Sequence, residues 1–167
     1  LHGIQQVPNA LAAAAAALWC GVPFDSVVAA LTTATGSPLR MEVRRVRGGP
    51  VLLVDCYNAN PASTEAALRS IAVLPAERKL ALLGVMAELG SETEPEHRRM
   101  AQLSDELGIE VVGFQTALYG RAVVDGADDA VALLRTLGPR DAALVKGSRV
   151  AHLEDVVQRY EGEATDT

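Results

Sequence analysis

From about residue 40 onward, short apolar runs alternate with longer stretches in which apolar residues return every three or four positions. Val51 to Val54, Lys79 to Leu83, Ile109 to Val112 and Ala142 to Val145 are brief and nearly all apolar, as strands covered on both faces are. Between them, Pro61 to Leu74, Glu94 to Leu107, Asp128 to Leu137 and Val150 to Tyr160 carry helical patterns. Met41 to Val46 and Val51 to Val54 read as a hairpin turning at Gly48-Gly49, and Arg121 to Val124 as a further short strand. Strands of this kind separated by helices predict an α/β fold, a doubly wound and mostly parallel sheet from about Arg40 to Tyr160. Glu161 to Thr167 is polar and predicts a frayed tail.

The first forty residues follow a different pattern. Ala10 to Cys20 is rich in alanine, a strong helix former, and Gly21 supplies a stop. Pro23 then lets a second helix begin near Asp25 and run to about Leu31, with Thr32 to Pro38 as a loop. Close helix packing is what such small side chains permit, so the segment predicts a pair of helices that belong against a neighbouring domain. Ile4 to Phe24 carries no charge, yet its glutamines, Pro8 and many alanines favour a packed helix over a membrane span. No basic segment precedes it as in a signal peptide. The expected location is cytoplasmic.

Composition narrows the classes further. Apolar residues make up 49% and charged residues 22% of the 167 positions, enough for a real core. A net charge of −6 argues against a general nucleic-acid or anionic-membrane surface. Cys20 and Cys56 sit in apolar surroundings and read as small buried hydrophobes. His97 and His152 read as solvent-facing.

Candidate chemistry collects where strands end, because ligands of open parallel sheets bind at the carboxyl edge. Asp55-Cys56-Tyr57-Asn58-Ala59-Asn60-Pro61 follows the first such strand, Gly84 to Gly90 with Glu88 follows the second, and Lys146-Gly147-Ser148-Arg149 follows the last. Asp55 suits a ribose hydroxyl, while Asn60-Pro61 suits a helix cap and first helical residue equally well. Lys146 as a point charge and Arg149 as a fork suit a carboxylate or phosphate. A serine capping the next helix flanked by two surface cations fits the same letters. No G-x-x-x-x-G-K-[ST] loop occurs, so the chain by itself is expected neither to hydrolyse ATP nor to form a peptide bond.

These strings together resemble the Mur ligase family, and within it the branch that adds D-alanyl-D-alanine to a UDP-N-acetylmuramoyl peptide. Gln5 to Ala14 is similar to H-[NQ]-V-x-N-A-L-A-A-A, Arg40-Met41-Glu42 to G-R-[ML]-E, and Leu83 to Gly90 to L-G-D-M-x-E-L-G. Asp55 to Pro61 matches D-x-Y-N-A-N-P, and Val145 to Arg149 matches V-K-G-S-R. Gln5, Leu39, Val85 and Leu153 depart from these patterns; Val85 puts an apolar branch where the family has an acid.

The resemblance implies that residues 1–38 are the last helices of a central ATPase domain, 39–160 a Rossmann-like C-terminal domain and 161–167 a polar tail. It implies ATP and magnesium as cofactors of the longer enzyme, and a UDP-N-acetylmuramoyl peptide and D-alanyl-D-alanine as its substrates. By position Asn9, Arg40 and Asp55 fall on the nucleotide side, with Asn58 and Asn60 beside them. Glu88, Lys146, Ser148 and Arg149 fall on the acceptor side. A non-catalytic nucleotide- or peptide-binding module, or a Mur-type ligase for another substrate, are the competing expectations.

Overall fold

The computed structural model describes residues 7–34 and 37–165 of the chain. They form two compact units that part at Ser37 and Pro38. The first holds α1 (Val7–Trp19) and α2 (Phe24–Thr33). Helix α1 has no buried residue, and α2 buries Val27. Gly21, at a φ of 82°, lets the chain leave α1 in the left-handed region that glycine enters at little cost. Gln5 and His2 lie outside the described residues.

The second unit is a six-stranded sheet in the order β1-β2-β6-β3-β4-β5. The strands are β1 (Glu42–Arg45), β2 (Val51–Asp55), β3 (Lys79–Leu83), β4 (Glu110–Phe114), β5 (Val123–Val124) and β6 (Ala142–Lys146). Only β1 runs antiparallel, joined to β2 by the Gly48-Gly49 turn, where the Gly49 N–H donates to the Val46 carbonyl. The other pairings are parallel. Helices α3 (Pro61–Ala72), α4 (Thr93–Glu106), α5 (Ala127–Leu134) and α6 (Leu153–Thr165) alternate with the strands.

The two-residue period of each strand sorts its side chains between two cores. Leu52, Val54, Leu80, Leu82, Ala143 and Val145 pack with Ala130 and Leu134 of α5 and Val156 and Val157 of α6. Their neighbours Leu53, Ala81, Leu83 and Leu144 pack on the opposite face with Leu68 and Ile71 of α3 and Met100 and Leu103 of α4. Both faces are covered, as the unbroken apolar runs require.

Several boundaries differ from the sequence reading, among them β4 and both ends of the last helix. Strand β4 continues through Gly113 to Phe114. The last helix begins at Leu153 rather than Val150, because Arg149–Ala151 forms a 3₁₀ turn and His152 takes a left-handed φ of 49°. It then runs to Thr165, so the segment from Glu161 to that point is helical rather than frayed.

Candidate functional site

Strand order puts β2, β6 and β3 side by side, with Asp55, Lys146 and Leu83 in register at their carboxyl ends. The three polar segments singled out in the sequence therefore leave the sheet together, at one edge.

The centre of this edge is an ion pair. Lys146 Nζ donates to Asp55 Oδ2 at 2.5 Å and to the Asn58 carbonyl at 3.0 Å. Its side chain is 1% exposed and that of Asp55 12%. The other Asp55 oxygen accepts the Met41 N–H at 3.2 Å. Lys146 is thus not a surface cation: its ammonium is spent inside the protein, fastening the β2 loop to the end of β6. Asp55 holds the segment that precedes β1, where Leu39 and Met41 have φ of 59° and 49°. The Tyr57 N–H to the Leu39 carbonyl, at 3.1 Å, fixes the same segment from the other end. Two non-glycine residues in the left-handed region are costly, and they turn Arg40, which lies between them, outward. Exposed Arg40 lies over the half-exposed ring of Tyr57, 4.0 Å from its centroid.

Ser148 links the remaining loops. Its hydroxyl donates to the Ala59 carbonyl at 3.2 Å and accepts the Ala87 N–H at 2.9 Å. It makes no side-chain cap on the turn that follows, contrary to the capping role read from the sequence. The loops after β3 and β6 also touch through glycines: a Cβ on Gly147 would stand 3.1 Å from the Gly84 Cα. Gly84 N–H to Lys146 carbonyl, at 2.8 Å, and Ser148 N–H to Val85 carbonyl, at 2.9 Å, complete the seam. Glu88 lies exposed on the β3 loop with a φ of 66°.

Asn58 turns its own loop, its Oδ1 accepting the Ala59 N–H at 2.9 Å. Asn60 is the N-cap of α3: Oδ1 accepts from the Ser63 N–H, and Ser63 Oγ accepts from the Asn60 N–H, closing a capping box. Asn9 lies exposed on α1, in the first unit. Arg149 is 58% exposed and pairs with Glu154 Oε1 at 3.3 Å. The structure therefore gathers Arg40, Asp55, Asn58, Lys146, Ser148 and the loop bearing Glu88, while Asn60 serves a helix cap.

One residue of this edge went unread in the sequence. Glu154, at the start of α6, is 8% exposed, and its Oε2 is buried with no hydrogen-bond partner among the described residues. Its charge lies close enough to Cys56 that, after burial itself, it helps push that thiol up to about 12. Cys56 is therefore a neutral thiol, donating to the Val145 carbonyl at 3.4 Å, and no nucleophile. His97 is fully buried rather than solvent-facing. The signal was present: position 97 shares the apolar stripe of α4 with Met100, Ala101 and Ser104, all buried.

Among the described residues no three His, Cys, Asp or Glu side chains gather as a metal would need. For a nucleotide the fit is better, because Arg40, Tyr57 and Asn58 present exposed groups at the edge. Among the same residues no helix is long and apolar enough to cross a membrane.

Comparison with known proteins points the same way. Residues 39–149 match the family model described as Mur ligase, glutamate ligase domain. The chain is 38% identical over 186 residues to a UDP-N-acetylmuramoyl-tripeptide–D-alanyl-D-alanine ligase of Mycobacterium tuberculosis, covering 90% of this chain and 36% of that protein. It is 35% identical over 176 residues to the ligase of the same name from Escherichia coli, covering 99% and 39%. It thus spans well under half the length of these relatives. Among solved structures, MurF from Acinetobacter baumannii superposes with a TM-score of 0.84 at 27% identity, covering 97% of this chain and 39% of that one. MurF ligase from Thermotoga maritima in complex with ADP superposes at 0.83 with 23% identity, covering 99% and 40%, and supports the fold. With its motifs at one sheet edge and the family model spanning that edge, the chain belongs to the Mur ligase family and carries its C-terminal domain.

Proposed function

We propose that the chain is the acceptor-presenting, nucleotide-contacting part of an ATP-dependent ligase that joins D-alanyl-D-alanine to a UDP-N-acetylmuramoyl peptide. The observation that carries this reading is the Lys146–Asp55 pair, which fastens the D-x-Y-N-A-N-P loop to the K-G-S-R loop. Around it, Arg40, Tyr57 and Asn58 form the nucleotide side, with Asp55 setting the position of Arg40 through the Met41 N–H. The family pattern assigns Asn9, on α1, to the nucleotide as well. Arg149, Ser148 and Glu88 form the acceptor side, where Arg149 supplies the exposed fork for a dipeptide carboxylate. Asn60 shapes the nucleotide side by starting α3. ATP, with magnesium as its accompanying ion, supplies when bound the phosphoryl group that activates the peptide carboxylate. In this reading residues 1–38 are the end of the preceding ATPase domain, residues 39–160 the C-terminal domain, and 161–167 a polar tail.

Steady-state kinetics on the longer polypeptide that contains this chain test the division. Arg149→Ala is expected to raise the KM for D-alanyl-D-alanine by about tenfold or more, roughly 1.4 kcal/mol per decade, and to leave the KM for ATP unchanged. A rise confined to ATP overturns the assignment. Val85, apolar where the family pattern has an acid, favours a second reading in which the acceptor is a different dipeptide. Turnover with D-alanyl-D-alanine below that with a more apolar D,D-dipeptide would establish it.

A further inference from the structure

The loop after β3, residues 84–89, carries Glu88 and borders Ser148, yet it contains no regular structure. Buried polar groups hold it from three directions, two of them through its backbone. His97 Nε2, on α4, accepts the Met86 N–H at 2.9 Å. That acceptor role leaves the ring proton on Nδ1, which donates to the Thr93 carbonyl at 2.5 Å, one turn earlier in the same helix. Tyr119, beyond β4, donates its hydroxyl to the Gly84 carbonyl at 2.9 Å. The His97 and Tyr119 rings meet edge to face, with centroids 4.8 Å apart. From α3, the Thr64 hydroxyl reaches Met86 Sδ at 3.4 Å. Met86, His97 and Thr64 are 0% exposed and Tyr119 is 1% exposed.

We propose that His97, backed by Tyr119, is the positioning residue that fixes the loop of residues 84–89 and so sets where Glu88 and the Ala87 N–H stand at the acceptor side. The core does not need an imidazole here; a leucine would fill an apolar site between helix and sheet. What the imidazole adds is one acceptor aimed at one loop N–H, with its tautomer locked by the helix carbonyl. An N–H buried beneath the sheet edge has no solvent to turn to, so the loop stays where that acceptor is. The left-handed backbone at Glu88, φ 66°, persists because its neighbours on the loop are pinned in this way.

The proposal rests on the acceptor-side reading above, and two measurements separate them. The first is amide hydrogen exchange on the 167-residue chain. His97→Leu should speed exchange at Met86, Ala87 and Glu88 by about tenfold or more, the effect of losing one buried hydrogen bond, while Leu53 and Leu144 in the central strands stay protected. His97→Gln, whose amide oxygen takes the place of Nε2, should restore slow exchange. Tyr119→Phe, which keeps the ring and loses the hydroxyl, should shift the same amides in the same direction if His97→Leu fails to fold. Unchanged exchange at residues 86–88 in both variants overturns the proposal.

The second measurement is kinetics on the longer polypeptide. His97→Leu should raise the KM for the dipeptide at least fivefold with the KM for ATP unmoved, and His97→Gln should recover most of it. Faster loop exchange with an unaltered dipeptide KM would support the pinned loop and overturn the acceptor-side reading.

Discussion

A lysine ammonium buried against one carboxylate makes both side chains hard to replace singly. Asp55→Asn leaves the Lys146 charge inside the protein with only the Asn58 carbonyl and an amide, and is expected to cost about 3–5 kcal/mol. Asp55→Asn combined with Lys146→Met should lie closer to the parent than either single variant, as urea unfolding of all four proteins would read out. Loss of nucleotide binding in an Asp55 variant must therefore be judged against its folding. The sequence showed Asp55 and Lys146 as strand-end charges but assigned them to opposite sides of a site. Their pairing depends on β2 lying beside β6 in a register that matches the two residues, which no local pattern encodes.

His97 gives a second test at this scale. Burial holds its pKa below the usual 6.5, against the smaller opposing effect of the Thr93 carbonyl. The unfolded chain takes up the proton first as pH falls, so stability from this group is complete above about pH 6.5 and declines below it, towards the lower folded value. Denaturation midpoints between pH 7.5 and 5.5 should fall more steeply for the parent than for His97→Gln.

Elements were legible where composition was decisive. The β3 span from the sequence, Lys79 to Leu83, is the observed strand, and α3 starts at Pro61 behind its Asn60 cap. Errors fell where glycine or polar residues serve contacts that the local sequence does not contain. The apolar run ends at Val112, yet β4 continues through Gly113, which pairs with Leu83 and Val123 and must be glycine because a Cβ there would meet the Thr116 carbonyl oxygen at 2.2 Å. Ser148 resembles a helix cap, yet its hydroxyl serves two loops distant in sequence. The contact between the loops after β3 and β6 depends likewise on Gly147. Gly147→Ala would drive a methyl against the Gly84 backbone and Leu153 Cδ1, which would lie 2.8 Å away. Its expected cost is about 1–3 kcal/mol, as for overpacking elsewhere, with altered exchange at Ser148 and Ala87. A thermal melt and an exchange map of this variant together check both parts.

On the scale of the whole molecule, the two units are built on different terms. Residues 38–165 enclose two cores on either side of one sheet. Helices α1 and α2 span 13 and 10 residues, and the first buries nothing. Trp19 is 92% exposed, with Leu11 and Phe24 also largely in solvent. Helices of that length are marginal in water without an apolar face covered. Amides of residues 10–31 should therefore exchange faster, by about a hundredfold or more, than those of β2, β6 and β3, whose opening requires global unfolding. Equal protection in a monomer would show that these helices hold themselves. The sequence signalled this difference through a charge-free, alanine-rich stretch followed by a regular alternation of strand and helix.

Lysine occurs just twice in the chain, at positions 79 and 146, against thirteen arginines. The amine of Lys79 is tied to the Ala72 carbonyl, and that of Lys146 is sealed at the sheet edge. An acylating reagent meets no freely exposed lysine on the folded second unit, and guanidinium groups do not react with it. Modification of Lys146 would require the D-x-Y-N-A-N-P loop to lift from the K-G-S-R loop, so covalent labelling of one side chain keeps time for the opening of the whole edge.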